Sequence, residues 1–415
     1  MPVSSKSPNR VVITGADNIS SMGSTWEEIK TSFESKQSKV CYMEEWDQYP
    51  ELKTRLAAPI KDFELPDTYR LKKKRSMGRV AQMAVRATEL ALKESGLYGE
   101  DVITNGQTGV SFGSATGSSA GAVEFFSMLE EQSMERINTT TYIRMMSHTA
   151  AVNIGIYFGT KGRVYTTSSA CVAGSQGIGY AYEAIQSGKQ KVMIAGGAEE
   201  LCPTQAAVFD TIFAASITNN TPHLSPRPFD KNRDGLVLGE GASSLILESY
   251  DHAKERGATI LAEIIGYGTN SDGSHIMRPN QETMQSVMQM SLDDAGVTAD
   301  QIGYVSAHAT ATEYGDIAES QATLNVLGKK PTSSIKSYTA HSLGACGAFE
   351  LYSTIKMMNE GWFAPTLNLT EVDPRCADLD YIQGDLRAID TDMVMSNNFA
   401  FGGINTSLIV KKFKD

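Results

Sequence analysis

Short apolar runs alternate with longer stretches of helical periodicity along this chain. VVITG (11–15), TGVSFG (108–113), VMIAGGA (192–198) and SSLILES (243–249) are apolar runs that end in glycine or a turn, the pattern of buried strands. MGRVAQMAVRATELALKESG (77–96) repeats apolar residues at helical spacing, and Gly96 stands where such a helix stops. Strand and helix signals are interleaved, so the expected fold class is α/β with buried strands. No low-complexity tract or proline-rich linker divides the chain. Two stretches share one design. CVAGSQGIGYAYEAIQSG (171–188) and HSLGACGAFELYSTIKMMNEG (341–361) are small-residue turns that lead into a helix and end in glycine, each followed by a segment able to return to a strand. An internal duplication is expected from them, with Cys171 in one βα unit and His341 in the other.

Composition narrows the field. The 415 residues, 41% of them hydrophobic, suffice for a large core. At roughly 100–200 residues per domain, that means two or three domains or one large duplicated one. A formal net charge of −11 argues against a general nucleic-acid or membrane binder. No stretch reads as a membrane span, and no apolar run precedes VVITG, so no signal peptide is expected. The five cysteines (Cys41, Cys171, Cys202, Cys346, Cys376) are odd in number, widely spread and without CxxC spacing. Neither a disulfide framework nor a metal site is expected, and the setting reads as reducing and cytoplasmic.

Candidate chemistry centres on TTSSACVAGSQGIG (166–179). A thiolate attacks carbonyl carbon, and a helix N-terminus lowers a thiol pKa through its free N–H groups and dipole. Cys171 lies where a strand-like run gives way to a helix, and Ala170, Ala173 and Gly174 let substrate approach closely. The same context also suits a small buried apolar cysteine, and Cys202, Cys346 and Cys376 read as packing. Of six histidines, His308 follows a strand-like run in YVSAHATATEYGD, and His341 opens a glycine-rich helix start, five residues after Lys336. Each alone could be a satisfied loop residue. The case for chemistry lies in all three contexts occurring in order.

TSSACVAGSQ, SAHATATEYGD, IKSYTAHSLGACGA and MSNNFAFGGINTSLIV resemble the signature blocks of β-ketoacyl-acyl carrier protein (ACP) synthases, with RPFDKNRDGLVLGEGA (227–242) as a further match. The resemblance runs from about residue 10 to 412 and is nearest to the type II elongating ketosynthases, the FabF-like group. RLAAPI, GGAEELCPTQAAVFDT and NNFAFGGINTS are most similar to the ketosynthases of bacterial aryl polyene pathways. The resemblance implies a thiolase-like, five-layered αβαβα fold from two duplicated halves, divided as residues 1–254 and 255–415, and a dimer paired through a sheet edge. It implies a decarboxylative Claisen condensation of an acyl-enzyme thioester with malonyl-ACP. It implies no cofactor bound by the enzyme itself, because the substrates would ride on the phosphopantetheine of ACP.

The implied roles fall on individual residues. Cys171 carries the acyl group, and His308 and His341 stabilise the enolate left by decarboxylation. Lys336 tunes the histidine network and Glu350 holds Lys336 or water. Backbone N–H groups of Cys171 and Phe401 form an oxyanion hole, and Phe401 gates the site beside Phe399, Gly402 and Gly403. Thr310 and Thr312 bind the phosphopantetheine arm, and Thr116 stands where bulky aliphatic residues often line the acyl pocket, leaving room for a longer or unsaturated chain. RLKKKRSMGR (70–79) is a basic run in an acidic chain, a patch able to steer an acidic carrier. Its Lys72, Lys73, Lys74, Arg75 and Arg79, together with Arg227, are the expected docking residues. Ser306, Ala309, Ala340 and Ala400 depart from the family pattern, the three alanines by adding methyls where glycine is usual. Three rivals stand beside this reading: a thiolase-like acyltransferase using coenzyme A, a papain-like hydrolase, and a non-catalytic chain-length partner subunit. The assembly could be a homodimer or a heterodimer with a related subunit.

Overall fold

The computed structural model describes residues 8–414. Its expected strands are present, several of them longer than the apolar runs alone: β1 (Val11–Ser20), β2 (Thr108–Gly113), β3 (Val164–Thr167), β4 (Val192–Glu199) and β5 (Gly241–Ser249). The helical stretch forms α1 (Arg79–Glu94), and Gly96 follows it at φ 73°, the left-handed conformation that ends a helix. A second set follows in the C-terminal part: β6 (Ala262–Ser271), β7 (Tyr304–Ser306), β8 (Pro331–Ser333), β9 (Met393–Phe399) and β10 (Ile404–Lys412).

The duplication is written in the sheet. The spatial order is β3-β2-β4-β5-β1 in the first half and β8-β7-β9-β10-β6 in the second. The pairings match as well. β2 is parallel to β3 and β4, as β7 is to β8 and β9, while β5 and β10 run antiparallel to both of their neighbours. The first strands of the two halves meet antiparallel through Val11–Ile264, Val12–Glu263 and Ile13–Ala262.

Helices α2 (Thr149–Phe158), α3 (Ala173–Gln186), α4 (Gln281–Ala295), α5 (Glu313–Leu327) and α6 (Cys346–Glu360) complete the layers. α1 and α2 cover the outer face of the first sheet, and α4 covers that of the second with α5 packed on it. α3 and α6 lie together between the sheets, touching strands of both halves. This is the five-layered αβαβα, thiolase-like arrangement. Being covered on both sides leaves α6 buried nearly all round, twelve of its fifteen residues in all, Glu350 included. The turns that open α3 and α6 meet at the centre of the molecule, where the site lies.

Candidate active site

Cys171 sits in a 3-10 turn, Ala170–Val172, that runs straight into α3. Ala170, at φ 52°, makes the sharp bend after β3. The sequence permits this bend because α3 has small residues on its inner face. A Cβ at Gly174 would lie 2.9 Å from the Gly344 carbonyl, and one at Gly177 would lie 2.9 Å from the Ser111 carbonyl. Cys171 is only 4% exposed. Burial pushes its thiol up to about 11, although the N–H groups of Phe401 and Cys171 and the charge of Lys336 pull the other way. The expected lowering is not met: burial outweighs these N–H groups and the lysine charge. The resting group is a thiol, so attack requires a nearby proton acceptor.

Two imidazoles stand beside it. One ligand atom from each of Cys171, His308 and His341 lies within 4.8 Å of the other two. The imidazole rings meet edge to face, 5.3 Å apart at 87°. His308 follows the end of β7, and His341 is fixed by backbone bonds, its N–H to the Val237 carbonyl (2.8 Å) and its carbonyl accepting from Gly239 N–H (3.0 Å). Burial, reinforced by the Lys336 charge, holds both rings well below the ordinary histidine range, so both are neutral near pH 7.

A relay behind His308 sets its proton. Asn398 Nδ2 donates to Glu350 Oε2 at 2.7 Å and faces His308 Nδ1 at 3.3 Å. A carboxylate only accepts, so this amide nitrogen is the donor and His308 Nδ1 the acceptor. The proton of the neutral ring is therefore on Nε2. The other Glu350 oxygen pairs with Lys336 Nζ, and both residues are almost fully buried. Burial pulls the Lys336 ammonium down, but Glu350 outweighs it and keeps the lysine charged. Neither ring nitrogen of His341 has a partner among the described residues. It has one free donor and one free acceptor.

A cavity of about 480 Å³ opens onto Cys171, His308 and His341, with Thr310, Thr312, Phe399 and Phe401 along it. The loop holding the two threonines is clamped from both sides. Asp316 accepts from the N–H groups of Thr310 (3.1 Å) and Ala311 (3.2 Å), while buried Arg233 donates to the carbonyls of Thr312 (3.2 Å) and Glu313 (2.9 Å). The threonine hydroxyls are 3.1 Å apart. Glu319 accepts from His308 N–H at 2.7 Å, and burial pushes its carboxyl up to about 8. Phe399 meets the edge of His308, and Phe401 packs edge-on against Phe209, followed by Gly402 (φ 93°) and Gly403 (φ 77°).

Other expected site residues lie elsewhere. Arg79 pairs with Glu240 through Nε (2.9 Å) and Nη2 (2.8 Å), and Lys73 lies over the Tyr157 ring and donates to its carbonyl. Arg79 is committed to its ion pair, while exposed Lys73 is held against Tyr157. Lys72 and Arg75 are exposed, Lys74 and Arg227 half-buried, and Arg227 donates to the Leu224 carbonyl. Thr116 does not line this cavity, and its hydroxyl binds Glu199 and Gln205. Of the methyl departures, only Ala340 has a left-handed φ, 59°. Sequence reasoning missed Asn398, Glu319, Asp316 and Glu199. The first lay inside the quoted block NNFAFGGINTS, and Asp316 and Glu319 are three apart, on one face of a helix beside the first histidine.

The chain that brings this cysteine and these two histidines together matches known proteins over nearly its whole length. Residues 8–253 match "Beta-ketoacyl synthase, N-terminal domain" and 261–370 match "Beta-ketoacyl synthase, C-terminal domain". The chain belongs to the β-ketoacyl synthase family. It is 34% identical to 3-oxoacyl-[acyl-carrier-protein] synthase 2 of Vibrio harveyi, over 99% of this chain and 100% of that one. The crystal structure of a β-ketoacyl synthase from Burkholderia phymatum STM815 superposes with a TM-score of 0.97 at 55% identity, covering 98% of this chain and 100% of that one. A ketosynthase bound to a hexaketide, in complex with its type II PKS acyl-carrier protein, gives a TM-score of 0.88 at 28% identity and the same coverage. This ketosynthase is thus a condensing acyltransferase. No helix among its described residues is long and apolar enough to cross a membrane.

Proposed function

We propose that this ketosynthase elongates a carrier-bound acyl chain by two carbons, with Cys171 as the acyl carrier and His308 and His341 as the groups that stabilise the enolate. The observation that carries the reading is the convergence of the three side chains within 4.8 Å. In the first step the acceptor nitrogen of His341 takes the thiol proton as Cys171 Sγ attacks the acyl thioester. The Sγ–acyl bond forms, the carrier S–acyl bond breaks, and the proton leaves on the carrier thiol. In the second, the malonyl thioester loses carbon dioxide, and the C–C bonding pair becomes an enolate. His308 Nε2–H, held in that tautomer by Asn398, donates to the enolate oxygen together with His341. Preorganised donors in a water-poor site gain most as charge develops, about 3–4 kcal/mol each. The enolate carbon then attacks the acyl carbon on Cys171. The Cys171 and Phe401 N–H groups, which both face Sγ, meet the tetrahedral oxygen before the Sγ–C bond breaks, and the expelled Cys171 thiolate takes up a proton from solvent to return to the thiol.

The electron pair comes from the C–C bond and the hydrogen bonds from neutral imidazole, so this chemistry asks for no bound cofactor. The phosphopantetheine arm reaches Cys171 past Thr310 and Thr312, and Phe401 gates the path. Exposed Lys72 and Arg75 form the part of the basic segment free to meet an acidic carrier. β3 is the outer edge of the first half, with Val164 49% exposed, and Phe126 and Leu129 are exposed apolar residues on the helix Ser119–Glu131. A second copy of the chain would cover this edge. An aryl polyene pathway in the cytoplasm suits the sequence details and the five free thiols.

Intact-protein mass spectrometry tests the reading. Wild type mixed with short acyl-ACPs is expected to gain one acyl group, cleared by malonyl-ACP to give β-ketoacyl-ACP. Cys171→Ala gains none, and His308→Ala gains the acyl group without clearing it. Absence of any acyl adduct on wild-type Cys171 would sink the proposal and favour coenzyme A substrates.

A further inference from the structure

The acyl-enzyme chemistry uses the inner end of the cavity and leaves its outer end without a role. There the wall carries exposed apolar side chains, Phe213, Ile276, Met277 and Tyr314. Exposed apolar residues grouped around a cavity mark a binding surface. Six charged side chains also line the cavity, and five of them are committed. Arg233 pairs with Asp373 at 2.7 Å, and Glu313 with Arg375 at 2.5 Å. Asp234 accepts from Ile217 N–H at 3.0 Å, Asp272 from Asn405 Nδ2 at 2.7 Å, and Glu319 from His308 N–H at 2.7 Å. The sixth is Arg278. It is exposed, and its guanidinium has no hydrogen-bond or ion-pair partner among the described residues; its one bond is made by its backbone N–H.

The backbone around Arg278 is fixed. The residue lies in the loop that leads from β6 into α4. His275 Nδ1 accepts from the N–H groups of Met277 (3.0 Å) and Arg278 (3.1 Å), which closes this loop into a turn. The Ile276 carbonyl accepts from Gly402 N–H at 2.9 Å, which fastens the turn to the Phe401 loop on the cavity wall. The cation is thus set at the cavity by its backbone while its side chain is left unpaired. A free guanidinium is a fork of donors suited to a phosphate or a carboxylate.

The chemistry of the acyl donor decides between these two anions. With its thioester at Cys171, the arm runs outward past Thr310 and Thr312. Its pantetheine part carries amides and hydroxyls but no charge, so the first anionic group along it is the phosphate. Resting on the acyl-enzyme reading, we infer that Arg278 binds the phosphate at the far end of the pantetheine arm. His275 touches no substrate atom in this role; it positions the turn. The site is separate from the basic segment at 70–79, none of whose residues lines the cavity.

The test compares three acyl donors that carry the same acyl group: acyl-pantetheine, acyl-phosphopantetheine and acyl-ACP. Initial rates of Cys171 acylation at subsaturating donor are read by intact-protein mass spectrometry. In wild type the small donor with a phosphate is expected to react about tenfold faster than the one without, the scale of a hydrogen bond to a charged group. Arg278→Gln is expected to bring that ratio close to one. Arg278→Lys is expected to keep part of it, because an ammonium retains the charge and loses the fork. A wild-type ratio near one overturns the inference, and so does a ratio that Arg278→Gln leaves unchanged. If Arg278→Gln slows acyl-ACP while the small-donor ratio stays as in wild type, the guanidinium meets an acidic side chain of the carrier, and the inference fails in that way too. Absence of a Cys171 adduct on wild type with every donor defeats the acyl-enzyme reading instead.

Discussion

In the first half, Ala170 at φ 52° opens a 3-10 turn that carries Cys171 into α3. In the second, Leu343 at φ 43° opens the matching turn, which carries Gly344 into α6. The backbone device is the same, yet one turn presents a thiol and the other presents nothing. The reason is space at the pseudo-twofold junction. A Cβ at Gly344 would stand 2.8 Å from Glu199 Oε2 and 2.9 Å from Ala115 N. There is room for one reactive side chain between the paired turns. The second half instead supplies the surroundings of that side chain, with His308, His341 and the Lys336–Glu350–Asn398 relay all on its own strands, turns and helices. Duplication provided the frame, and divergence of the two copies divided nucleophile from proton and charge handling.

The buried ion pair of the second half is the most sensitive point of that division. Lys336→Met leaves the Glu350 carboxylate buried without its counter-charge and should cost about 3–5 kcal/mol in a urea titration. The double variant Lys336→Met/Glu350→Gln should recover most of the loss, and a single variant as stable as wild type would show that the pair is not what holds this half together.

Next in size is the relay itself. Asn398→Ala frees His308 Nδ1 to carry the proton, so condensation should slow by about 10–100-fold while acylation of Cys171 persists. Equal slowing of both steps would place Asn398 in the general packing of the site.

Gly344→Ala probes the comparison directly, forcing a methyl where the first half tolerates one. Because the clashing atoms include backbone, a loss of about 1–3 kcal/mol is expected in thermal unfolding. A neutral result would mean that the junction can spread, and that the asymmetry of the halves has another origin.

The smallest effect is expected at Ala340, whose φ 59° and ψ −168° suit glycine better than alanine. Ala340→Gly should stabilise the protein by about 1 kcal/mol. Ala309 and Ala400, which lack a left-handed φ, offer no such gain.

Much of this was legible before any coordinates. Apolar runs marked four of the first-half strands because a strand covered on both faces must be apolar throughout. The second-half strands β7 and β8 are three residues each and too short to carry a period. The paired turns at 171–188 and 341–361 showed the duplication, since both need small residues where backbones cross. Asn398 and Glu199 were not legible as site residues, because each acts through a partner far away in the chain: Glu199 meets Gly344 across 145 positions and Asn398 meets His308 across 90.

From the order and spacing of its residues alone, the chain determined its α/β class, its two-fold repeat and the identity of Cys171, His308 and His341 as the groups to watch. These follow from local rules, namely periodicity, turn chemistry and the residue types that can attack or donate. Tertiary structure alone decided that the thiol is raised rather than lowered, that His308 carries its proton on Nε2, that Arg79 is spent on Glu240, and that the Thr116 hydroxyl is bound to Glu199 and Gln205. Each of those depends on desolvation or on a partner brought in from a distant segment, and neither is encoded at the position of the residue it changes.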